Sequence, residues 1–141
     1  MMIIIALVFV WLVYIILCAI TEAHYQDELY FLDREHKNLH PVYFIERGIM
    51  LSFIYLETYN LFMWDRIIFC FALCFIYPFF HDGMLYSIRN YLNVDVYKKR
   101  WFANKELGKD EHPVLIELGV GLRTTMAIIG IIFIIGVILD K

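Results

Sequence analysis

Residues 67–86 read IIFCFALCFIYPFFHDGMLY. From Ile67 to Phe80 no side chain carries a charge, and the run then delivers His81, Asp82 and Gly83 before it closes at Tyr86. About 20 apolar residues at 1.5 Å each cover the roughly 30 Å hydrocarbon core of a bilayer as a helix. Backbone amides find no water there, so a single span must close its own hydrogen bonds and be helical. An ionisable pair carried by such a segment costs about 2.5 to 3.5 kcal/mol per group on insertion scales, which makes it a candidate functional site.

Upstream, Asp65 and Arg66 are the only polar break before another apolar segment, about 41–64, and so short a turn makes the two helices antiparallel neighbours. Residues 2–21 and 113–139 supply two further apolar runs, the last opening on Pro113 behind Asp110 and Glu111, which suit a helix N-terminus. The chain of 141 residues, 62% hydrophobic, is therefore expected to be all-α: a polytopic four-helix transmembrane bundle in a single domain, with one short outer turn and two longer cytoplasmic loops. The first run has no charged region before it and no small-x-small cleavage site after it, so it reads as a retained helix. Cys18, Cys70 and Cys74 all fall in apolar segments and read as packing residues rather than a disulfide framework.

Basic residues set the expected orientation. Arg34 and Lys37 lie between the first two spans, and Arg89, Lys98, Lys99, Arg100, Lys105 and Lys109 between the last two, against only Arg66 and Lys141 on the other side. By the positive-inside rule the long loops are cytoplasmic and both termini lie outside, as in a plasma (inner) membrane protein. Lys98 to Arg100 beside Trp101 and Phe102 suit anionic lipid headgroups at the bilayer surface. The net charge of -3 argues little about partners, but twelve basic residues without a one-sided stripe or a nucleic-acid motif argue against a nucleic-acid binder.

Threading the spans up and down brings the embedded charges to one face: Glu22 and His24 from the first, Glu46 and Arg47 from the second, His81 and Asp82 from the third, Glu117 and Arg123 from the fourth. His81, Asp82 and Glu57 are the candidate catalytic acids and bases, and Tyr86, Arg89, Asn90 and Arg123 the candidate substrate-binding groups. His24, Glu22, His81 and Asp82 combine nitrogen and oxygen donors that would suit a divalent metal, although no HExxH motif is present. His24 also stands three and four residues before Asp27 and Glu28. Glu57 falls about 16 Å from Glu46 on the same helical face, near mid-membrane. Pro78 frees the carbonyl of Cys74 and is expected to kink the third helix. Gly121 and Thr125 form a small-xxx-small pair expected to bring the fourth helix close to a neighbour.

Three classes of function fit. The favoured one is a membrane enzyme acting on a lipid or lipid-linked substrate, because His, Asp, Glu and Arg converge from every helix. The second is an ion or proton channel or carrier, a homo-oligomer with Glu57 and Glu46 along the path. The third is a structural or partner-binding subunit.

Overall fold

The computed structural model describes residues 2–31, 40–92 and 119–140, with side chains for 2–25, 42–92 and 119–140. Among these every regular element is an α-helix: α1 Met2–Phe31, α2 His40–Glu57, α3 Met63–Leu92 and α4 Val120–Leu139. Three of them, α1, α3 and α4, are long and apolar enough to cross a membrane. The second helix is the exception to the four-span expectation, since its 18 residues include Glu46, Arg47 and Glu57.

The second helix also ends seven residues short of the expected Trp64. Thr58 turns its Oγ1 back onto the carbonyls of Ile54 at 3.1 Å and Tyr55 at 2.9 Å. Arg66, beyond the turn, donates Nε and Nη2 to the same Tyr55 carbonyl at 3.2 and 2.8 Å and lies 3.9 Å above its ring. The last carbonyls of α2 are thereby occupied from outside the helix, and the chain turns. Glu57 is left exposed as the last residue of α2, not within a helix that runs on to Trp64.

Contacts between helices set their directions. Trp11 meets Leu73 and Tyr77, and farther along Glu22 meets His81, so α1 and α3 run parallel. Arg123 meets Asp82 while Gly130 lies against Ala72 and Ile76, so α4 runs antiparallel to α3. The turn at 58–62 returns α2 antiparallel along α3 until Arg47 reaches Tyr77. Met2, that turn and Leu139 therefore share one end of the bundle. Counting 18 residues from Met63, His81 lies about 27 Å along α3, at the other end.

Between the two ends the core is apolar. Ile4, Trp11, Ile15, Ile54, Phe69, Leu73 and Ile76 are fully or almost fully buried in it. In lipid there is little hydrophobic drive between helices, so close packing and polar contacts must hold them. The small side chains Ala19 and Ala23 pack on Leu85 near the polar end, and Gly130 lets α4 approach the backbone of α3. The expected small pair does not carry this approach: Thr125 is exposed and a side chain at Gly121 would meet nothing within 4 Å.

The third helix continues through Pro78 as one element. One turn before it, the Trp11 indole donates Nε1–H to the Leu73 carbonyl at 3.0 Å, a buried bond between α1 and α3. Trp11→Phe keeps most of the ring and deletes that donor, so a loss of about 0.5 to 1.5 kcal/mol is expected. Thermal unfolding in detergent measures it; an unchanged midpoint would mean that the indole bond adds nothing.

Candidate functional site

The polar end of the bundle is organised around His81. Its position on α3 places it in the same row as Tyr77, one turn earlier, and the two rings stack with centroids 4.9 Å apart. Nδ1 lies 3.1 Å from Asp82 Oδ1, and Nε2 lies 3.1 Å from Glu22 Oε2 of α1. The first contact is a hydrogen bond, whereas the second is off the N–H line and is an ion-pair contact. The imidazole is 4% exposed, with a carboxylate on each nitrogen.

Each carboxylate leads on to an arginine. Asp82 Oδ2 accepts from Arg123 Nη1 of α4 at 2.9 Å, and the guanidinium lies 6.0 Å from the Tyr86 ring. Glu22 Oε2 lies 4.0 Å from Arg47 Nη2 of α2, and Arg47 is in turn 4.4 Å from the Tyr77 ring. The order Arg47, Glu22, His81, Asp82, Arg123 therefore runs from α2 through α1 and α3 to α4 with adjacent groups of complementary charge when His81 is protonated. Arg123 and Glu22 are buried; Arg47 and Asp82 are each about one-third exposed.

Of the residues read from the sequence, the structure brings Glu22, His81, Asp82 and Arg123 together, with Tyr86 at the edge. Arg89 and Asn90 are half-buried, about two turns past Asp82, and each has its own partner. Glu57 is exposed at the opposite end, and Glu46 is exposed with Oε1 3.9 Å from Cys18 Sγ. His24 is exposed because two residues turn a helix by about 200°, so when Glu22 faces α3 its neighbour but one faces away. Glu117, the side chains of Asp27 and Glu28, and the basic aromatic stretch at 98–102 lie outside the described residues.

Arg47, read from the sequence as one of the converging charges but given no role of its own, also joins the cluster. Tyr77 was not among the sequence candidates and could have been found from its four-residue spacing to His81.

The expected metal set does not assemble. Among the described residues no group of three or more His, Cys, Asp or Glu side chains is arranged to hold a metal ion. The reason is visible at His81, where both nitrogens already face carboxylates, and at His24, which is turned away. No family model, no curated protein and no solved structure matches the chain.

Proposed function

We propose that this chain performs acid–base chemistry on a lipid or lipid-linked substrate at the cytoplasmic leaflet of the plasma (inner) membrane. The observation that carries this reading is the pair of 3.1 Å contacts on the two nitrogens of one imidazole. A carboxylate only accepts, and a neutral imidazole has one N–H. Both contacts are therefore favourable only if a second proton sits on the ring or on one of the carboxylates. That extra proton is what a general acid holds ready. His81 is the acid or base, Glu22 shares its second proton, and Asp82, fixed by Arg123, orients the ring.

The reading places α2 within the membrane as a fourth span, its Arg47 covered by the cluster, with both termini outside and the long loops inside. The lysines and arginines of those loops support that orientation. Within a single bundle Trp11, Phe69 and Leu73 fill the core beneath the cluster, so the ion-path alternative would run between copies of the chain, where exposed Glu46 and Glu57 could face it.

The test is turnover in lipid nanodiscs made from an extract of the native membrane, followed by mass spectrometry of the lipids. His81→Gln, which keeps a polar side chain of similar reach, is expected to slow product formation by about 10²-fold or more, the usual contribution of a positioned acid or base. Identical lipid profiles with the wild-type chain and with His81→Gln would defeat the enzyme reading.

A further inference from the structure

Arg47 is the loosest member of the cluster. Its nearest carboxylate oxygen is 4.0 Å away, it is held otherwise by the rings of Tyr77 at 4.4 Å and Tyr43 at 5.8 Å, and its side chain is 31% exposed. It makes no side-chain hydrogen bond among the described residues. Arg123, the other cation, is by contrast buried and donates to Asp82 at 2.9 Å. A guanidinium presents a planar fork of five N–H donors, and on Arg47 that fork is stacked but not engaged.

The charge balance points the same way. With the second proton in place, Arg47, His81 and Arg123 are positive, while Glu22 and Asp82 are negative. These five groups sum to one positive charge, and Glu22 and Arg123 each have a further partner, so Arg47 is the cation left open to an added anion. Glu46 does not engage it, because its carboxylate is turned toward Cys18 and is not an ion-pair partner of Arg47.

The surroundings select the form of an anion bound there. Three and four residues from Arg47 toward mid-membrane, on the same helical face, come the half-buried Met50 and Leu51. A free anion gains nothing from that apolar flank, whereas an acyl chain would lie along it. We propose that Arg47 is the anion-recognition residue of this site and binds the phosphate of an anionic lipid beside the Tyr77 ring. The bidentate fork on a phosphate is the usual strong arrangement for such a pair.

This inference names the substrate class for the acid–base reading and rests on it, but the binding can be measured without turnover. The protein in neutral detergent is offered phosphatidylglycerol, phosphatidylcholine, whose phosphate charge is balanced by choline, or soluble glycerol phosphate, and retained ligand is read by native mass spectrometry. Preference for phosphatidylglycerol over phosphatidylcholine is expected, and Arg47→Gln is expected to weaken phosphatidylglycerol binding at least about tenfold, as loss of charge-assisted hydrogen bonds does. Arg47→Lys, which keeps the charge without the fork, is expected to fall between them.

Equal retention by folded Arg47→Gln and by the wild-type chain overturns the proposal. Should Arg47→Gln fail to fold, the lysine variant decides: undiminished retention overturns the proposal, and a loss upholds it. Glycerol phosphate binding as tightly as phosphatidylglycerol would assign the site to a soluble phosphate and overturn the lipid. Turnover that depends on His81 together with binding indifferent to Arg47 would sink this inference alone. Binding that depends on Arg47 without any turnover would sink only the enzyme reading.

Discussion

Asp82→Ala is expected to destabilise the bundle by up to about 3 to 5 kcal/mol, the cost of taking the carboxylate from a buried cation. Arg123 is 4% exposed, and its Nη1 donates to Asp82 Oδ2 at 2.9 Å, so alanine removes the facing carboxylate of a buried cation at the polar end of the bundle and leaves it only its other contact. The same change removes the hydrogen-bond partner of His81 Nδ1. The size of the effect comes from the buried cation that loses its carboxylate rather than from the pair itself, since interhelical polar pairs in membranes are worth well under 2 kcal/mol on average.

That distinction supplies the control. If the cation is the cost, Asp82→Ala combined with Arg123→Leu should recover much of the lost stability, because an apolar replacement of both partners is often neutral. Exposed Asp140, converted to alanine, should leave stability within about 0.5 kcal/mol. Denaturant unfolding in mixed micelles reads all three variants. A single Asp82→Ala loss below about 1 kcal/mol, or no recovery in the double variant, would mean that Arg123 is not paired as the geometry has it.

The cluster was partly legible because depth in a membrane helix is a count of residues. Glu22 lies near the far end of one apolar run, His81 and Asp82 near the far end of a second, and Arg123 near the start of a third, so up-and-down threading is enough to bring them level. Rotation about the helix axis is not a count of that kind. In a soluble helix the apolar stripe marks the inward face, but α1 and α4 are apolar all round and carry no stripe to read. His24 was therefore grouped with Glu22 although it faces the other way, and Gly121 was preferred to Gly130. The end of α2 was missed for a different reason: hydropathy runs on through Phe62 and Trp64, while the carbonyl bonds of Thr58 and Arg66 that close the helix depend on side-chain geometry.

Gly130 gives the second large effect. A Cβ built there would stand 2.7 Å from the Ala72 carbonyl oxygen, 2.9 Å from Ile76 Cγ2 and 3.3 Å from Phe75 Cβ. The nearest of these is backbone of α3, which cannot rotate away, so even one methyl must push the two helices apart. Gly130→Leu is expected to cost more than the roughly 1 to 3 kcal/mol of ordinary overpacking. Gly136, on the same helix, would meet nothing within 4 Å, and Gly136→Ala should if anything gain up to about 1 kcal/mol from helix propensity. The two alanine substitutions are thus expected to differ in sign: Gly130→Ala lowers the unfolding midpoint and Gly136→Ala leaves it level or raises it. Equal effects at the two positions would mean that α3 and α4 are not packed through Gly130. The consequence reaches the site, because Arg123 stands seven residues from Gly130, about two turns away on the same face. Displacing α4 at Gly130 should carry Arg123 off Asp82, so Gly130→Ala is also expected to reproduce part of the turnover loss of His81→Gln.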